Sequence, residues 1–200
     1  SALVNAYANG GGQWQRAEEA VAKMHADGLK SSIHVYGALL SAYAQGGGQW
    51  ERAAEVLRWV EEQGHEAGAA AYGHLMMACA NGRQMERALG VLRGLGDAGY
   101  GYDASLCNKL LNACRRDGLW EAALEVLATM RAAGVQPDAL TCSKLVATCR
   151  EAGRLEQAAE ILADVTGMGV LPDALTAGEL VGACAHSGRW ELALEAFDTA

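Results

Sequence analysis

The chain has 200 residues, 51% of them apolar, which is enough to bury a continuous core and excludes an intrinsically disordered tail. Its formal charge of −8 is the opposite of the basic balance by which a domain holds nucleic acid mainly through phosphate neutralisation. Two prolines, one phenylalanine and 25 glycines favour helices punctuated by glycine turns over strands, and there is neither an apolar run long enough to span a bilayer nor a signal-like leader.

The first segment, SALVNAYANG, begins inside a helical pattern and starts at Ser1 without a methionine, so the chain is expected to be a piece of a longer protein. GGGQW follows at 10–14 and recurs at 46–50. A glycine run that opens onto a helix can cradle phosphate through its backbone N–H groups, but both copies lack the Lys and Ser/Thr of a phosphate loop. Recurrence at one place in two units points instead to a hairpin connector. Segments 1–32, 33–68 and 69–103 each predict a first helix, a glycine turn and a second helix, the first of them lacking the start of its first helix. The pattern is clearest in 104–138 and 139–173. In the former, Leu106, Leu110, Leu111 and Cys114 mark one helix face at three- and four-residue spacing, and Ala123, Leu124, Leu127 and Met130 mark a second. Gly118 and Gly153 stand between the helices, while GVQPD and GVLPD end each unit, because glycine accepts the left-handed turn and proline prevents continuation. Segment 174–200 stops within its second helix.

Cys79, Cys114, Cys149 and Cys184 recur at thirty-five residues, as do Gly118, Gly153 and Gly188, and Asp103, Asp138 and Asp173. The expected fold is therefore all-α, an α-solenoid of tandem helical hairpins with a 35-residue repeat, forming one array over 1–200. Equivalent cysteines in such an array are separated by about one helix spacing, ~8–10 Å, too far to share a metal, so all six are expected as small buried apolar side chains. Trp14, Trp50, Trp120 and Trp190 open the second helices and are expected to pack in the core against the preceding helix. The five histidines show no metal spacing, and no nucleophile, metal or acid–base motif occurs; the expectation is no enzyme, no metal and no cofactor. Acidic residues concentrate early in the second helices, whereas Lys109, Arg115, Arg116, Lys144 and Arg150 lie on first helices. Charge is thus segregated by layer, and net acidity is compatible with an anionic ligand on the inner layer.

The unit endings VQPD and VLPD, together with DGLWEAALEVLATM and AGRLEQAAEILADV, closely resemble the pentatricopeptide repeat over essentially the whole chain, most strongly from 104 to 200. The tetratricopeptide repeat, with a period of thirty-four and its Trp in the first helix, fits less well. The resemblance implies a right-handed α-solenoid that binds single-stranded RNA one base per repeat. In that family a residue early in the first helix and the last residue of the unit read the base. Here these pairs are Asn108 with Asp138, implying uracil, and Ser143 with Asp173, implying guanine, so that adjacent repeats would read 5′-UG-3′. Leu140 and Leu175 would sandwich the bases, with Ser105 a poor platform, and Lys109, Arg115, Arg116, Lys144 and Arg150 would take phosphates. Other units depart from the pattern: Gly37, Gly73 and Gly178 stand at the reading place, and Gly68 and Ser32 at the last place, where Ser1 would be the first unit's partner. Two readings follow. One is an organellar protein, mitochondrial or chloroplast, that binds single-stranded RNA in RNA stability, processing or translation. The other is a scaffold subunit of an organellar ribosome, touching ribosomal RNA and ribosomal proteins. The intact pairs favour the first, and the glycines and the −8 charge the second. A catalytic domain beyond residue 200 would make this segment a targeting arm; no membrane partner is expected.

Overall fold

The computed structural model describes residues 2–10, 13–27, 33–191 and 193–194. Ser1, Ser32 and two glycines of the first GGGQW copy lie outside the described residues. The chain divides into two compact units, Ser1–Tyr102 and Asp103–Ala200, and the division falls one residue before the end of the third expected repeat. The first unit contains α1 (Ala2–Asn9), α2 (Trp14–Ala26), α3 (Ile33–Gln45), α4 (Trp50–Glu62), α5 (Ala69–Asn81) and α6 (Met85–Asp97). The second contains α7 (Ala104–Asp117), α8 (Trp120–Ala132), α9 (Ala139–Glu151), α10 (Leu155–Gly167) and α11 (Ala174–His186). Every first helix from α3 onward starts on the first residue of its expected repeat.

Local chemistry sets these boundaries. The carboxylates of Asp103, Asp138 and Asp173 accept the backbone N–H three residues on, from Leu106, Thr141 and Thr176, and so cap α7, α9 and α11. Gly118 ends α7 in the left-handed conformation, φ 70°. Within each unit the first helices pack side by side, α1 on α3 on α5 and α7 on α9 on α11, while α2, α4, α8 and α10 each lie against their own first helix and that of the next repeat, and α6 lies against α5. This is the all-α hairpin solenoid that the 35-residue period predicts. Leu110, Leu111, Leu145 and Leu180 are completely buried, each contributing about 1.5–3 kcal/mol through burial. All six cysteines are buried and free, and burial pushes Cys107 and Cys114 up to about 12 and Cys142 and Cys149 to about 11. They serve as small apolar side chains, and no metal-holding cluster of His, Cys, Asp or Glu occurs among the described residues.

The tryptophans correct the core assignment. Trp14, Trp50 and Trp120 are only half-buried, and each carries an arginine from the following repeat on its face: Arg52 at 4.7 Å, Arg87 at 4.2 Å and Arg154 at 4.8 Å from the ring centroid. Trp190 is 63% exposed. The first three rings are left partly open by their own helices, and a cation from the neighbouring repeat covers each. The second GGGQW copy is a connector, as expected. Gly48 is buried there at φ 72°, pressed against the turn of the next repeat at Asn81 and Gly82.

Candidate nucleic-acid interface

Asn108 lies one turn into α7, and Asp138 immediately precedes α9; packing of α7 against α9 brings them together. The Asn108 amide Nδ2 donates to Asp138 Oδ1 at 3.2 Å and to Oδ2 at 3.4 Å. The Thr141 hydroxyl lies 2.7 Å from Asp138 Oδ1 and 3.0 Å from Asn108 Oδ1, sharing its hydrogen between the two acceptors. Asn108 is 4% exposed, so its amide sits behind the exposed Asp138 carboxylate. Burial alone would raise the Asp138 pKa, but the side-chain and backbone donors of Thr141, with the Asn108 amide, outweigh it and hold the carboxyl below its ordinary range. The carboxylate is therefore a fixed, ionised acceptor at the surface.

The second pair is more open. Ser143 is half-buried on α9, Asp173 is exposed, and no hydrogen bond joins them. Hydrogen bonds from Thr176, through side chain and backbone, lower the Asp173 pKa. Leu140 and Leu175, the expected sandwiching residues, are 54% and 69% exposed on the first turns of α9 and α11. Exposed leucines at matching places in successive repeats leave apolar surface in water, which a stacked base would cover.

The expected phosphate contacts are mostly engaged within the protein. Arg115 makes a bidentate pair with Glu151, with Nη2 2.6 Å from Oε1, and Arg116 pairs with Asp117 at 3.0 Å. Arg150 pairs with Glu179 at 3.0 Å, yet its buried Nε keeps an unspent donor. Lys144 donates to the backbone carbonyl of Asn108 at 3.0 Å, stapling α9 to α7, and desolvation lowers its pKa. Lys109 is exposed and makes no ion pair with any described residue. The first-helix layer is consequently less basic than its cations alone suggest. Exposed pairs such as Arg115–Glu151 are worth only about 0–1 kcal/mol, so a phosphate can compete for them.

In the first unit, the place held by Asn108 and Asp138 is taken by Gly37 and Gly68, and the absence of side chains leaves a mainly apolar cleft of about 320 Å³. Ile33, His34, Tyr36, Leu40 and Ala70 are among its walls. Sequence reasoning missed both this cleft and Thr141. The D-x-x-T spacing at Asp138–Thr141 and Asp173–Thr176 was the available signal for the threonine.

Residues 74–200 match a family profile described as pentatricopeptide repeat-containing protein, and residues 19–81 match one described as pentatricopeptide repeat domain. The crystal structure of the pentatricopeptide repeat protein PPR10 from maize is similar to this chain with a TM-score of 0.71 and 28% identity, over 98% of this chain and 28% of that one. PPR10 in complex with an 18-nt psaJ RNA element gives 0.69 and 26%, over 98% and 27%. The PPR domain of Arabidopsis thaliana protein-only RNase P 1, in complex with tRNA, shares the fold at a TM-score of 0.69 and 14% identity, over 90% and 94%. The chain thus spans little more than a quarter of the length of PPR10. No curated protein matches it.

Proposed function

From its place in the pentatricopeptide repeat family, to which the chain belongs, we propose that it binds single-stranded RNA along its first-helix layer and acts in the stability, processing or translation of an organellar transcript. The observation that carries this reading is the Asn108–Asp138 pair, which stands thirty residues apart in sequence and is joined by a hydrogen bond that holds the exposed Asp138 carboxylate against the buried Asn108 amide. An ionised, fixed carboxylate accepts the imino N–H of uracil (N3) or guanine (N1), whereas cytosine and adenine present a ring acceptor there and are repelled. Both pairs therefore select bases with an imino proton. By the family's code, Asn with Asp implies uracil and Ser with Asp implies guanine, giving the order UG. Lys109 is the first cation available to phosphate, and Arg115, Arg116 and Arg150 follow by exchanging partners.

Fluorescence anisotropy with labelled single strands carrying UG in a neutral background, at two salt concentrations, tests this. The parent should prefer UG over its scrambled order, and the Asn108→Ala plus Ser143→Ala variant should lose that preference. Because few cations are free, the salt dependence should be shallow, equivalent to about one or two phosphates at ~0.7 in log–log slope each. Absence of detectable RNA binding would sink the proposal. The ribosomal-scaffold reading draws support from one feature: α3 and α5 carry no Lys or Arg and flank the apolar cleft, a surface suited to protein. It predicts stable co-sedimentation with a large particle.

The same cleft offers a gain-of-function test. A Cβ at Gly37 or Gly68 would meet nothing within 4 Å, and neither glycine uses a left-handed backbone. Gly37→Asn with Gly68→Asp, together with Ala71→Thr at the place held by Thr141, should be tolerated, should tighten α3 and the start of α5, and should add a third reading position. Binding assays with an added U at the corresponding base should show a preference of roughly tenfold, on the scale of a polar base contact worth about 1–3 kcal/mol.

A further inference from the structure

We infer that Thr141 is a positioning residue for the Asn108–Asp138 pair, so that base choice at one repeat depends on the third residue of the next. The inference rests on the base-reading proposal above. Thr141 is 0% exposed, and its hydroxyl is the junction of the site. It reaches Asn108 Oδ1 at 3.0 Å and Asp138 Oδ1 at 2.7 Å, accepts from the Asp138 N–H at 3.3 Å, and its own backbone N–H donates to Asp138 Oδ1 at 2.7 Å.

Each end of the buried Asn108 amide thus has its complement. The carboxylate, an acceptor only, takes the Nδ2 end, and the hydroxyl takes the Oδ1 end. With both ends held, the amide can neither flip nor swing, and the exposed Asp138 carboxylate is kept in one place against it. Removing the hydroxyl alone leaves Oδ1 a buried acceptor without a partner, and the amide turns away to find one. The next repeat supplies an internal control. Thr176 occupies the same place, is nearly buried at 5% exposure, and donates its N–H to Asp173 at 2.6 Å, but its hydroxyl makes no bond to Ser143. Thr141 therefore couples two residues that read together, whereas Thr176 serves the cap.

The experiment compares the parent, Thr141→Val, Thr141→Ser and Thr176→Val by anisotropy against four RNAs that differ only at the base facing Asn108, with thermal melts alongside. Valine keeps the volume and branching, and serine keeps the hydroxyl. The expected result is a fivefold to tenfold loss of the uracil preference in Thr141→Val, recovery in Thr141→Ser, and a parent-like preference in Thr176→Val despite a lowered melting temperature. A Thr141→Val variant that keeps the parent's preference overturns the inference while leaving base reading intact. So does a Thr176→Val variant that loses preference at the Asn108 base equally, since the effect would then be one of general stability. A parent with no preference at that base removes base reading itself, and the inference with it.

Discussion

Gly48→Ala should destabilise the Ser1–Tyr102 unit by roughly 2–5 kcal/mol for the addition of one methyl group. Part of this is conformational: Gly48 has φ 72°, and an L-residue in the left-handed region costs about 1–2 kcal/mol. The larger part is steric. A Cβ there would lie 2.1 Å from the backbone nitrogen of Gly82 and 2.5 Å from the carbonyl carbon of Asn81, and backbone cannot rotate aside as a side chain can. The two turns must separate, and overpacking of this kind costs about 1–3 kcal/mol. Separation would also strain the bond from Asn81 Nδ2 to the carbonyl of Ala44, 2.8 Å, that ties the same turn to α3. Gly47→Ala is the control: φ is 92° but a Cβ would meet nothing within 4 Å, so only the conformational cost applies. Hydrogen exchange over α3 to α5 measures both variants. Equal losses in the two would show that contact with Gly82 is not what requires glycine.

This turn also shows where sequence reading succeeded and where it stopped. The glycine run was identifiable as a connector because it occurred twice at one place in the repeat, but the approach of Gly48 to Gly82 is a contact between turns that no linear pattern records. Helix starts were legible because Asp103, Asp138 and Asp173 put a capping carboxylate at a fixed period, ahead of apolar spacing that suits a helix. The tryptophans were misplaced for a physical reason: their covering arginines come from the next repeat, at separations that vary from unit to unit. Counting first-helix cations overstated the basic surface, because Glu151 and Glu179 sit within reach of Arg115 and Arg150 only once α7, α9 and α11 are packed. The reading pairs came from family resemblance. That Asn108 is buried behind Asp138 with Thr141 between them required the distances.

Asp138→Ala is the second large effect, because one carboxylate performs three tasks. It caps α9, and loss of an N-cap costs about 0.5–2 kcal/mol. It is also the acceptor for the buried Asn108 amide, and orphaning such a donor costs about 1–3 kcal/mol. Together these give roughly 1.5–5 kcal/mol for the Asp103–Ala200 unit, against about 1 kcal/mol for Asp173→Ala, where the cap is lost and no buried amide depends on it. Urea midpoints of the two variants separate these contributions, and equal losses would mean that the Asn108 bond carries no net stability. The third task is the proposed RNA selection: if the base-reading proposal holds, Asp138→Ala should lose uracil preference at that base, while Asp173→Ala should lose guanine preference one base along. Acid titration provides a further check. Hydrogen bonds hold Asp138 below the ordinary carboxylate pKa of about 3.9, so its contribution is complete above that value and disappears as pH falls through the lower folded-state pKa. The stability gap between parent and Asp138→Ala should therefore stay constant from neutrality down to about pH 5 and close only in stronger acid. A gap that began to close near neutral pH would show that the carboxylate is not held ionised by Thr141 and Asn108, and the fixed acceptor on which base selection depends would be lost with it.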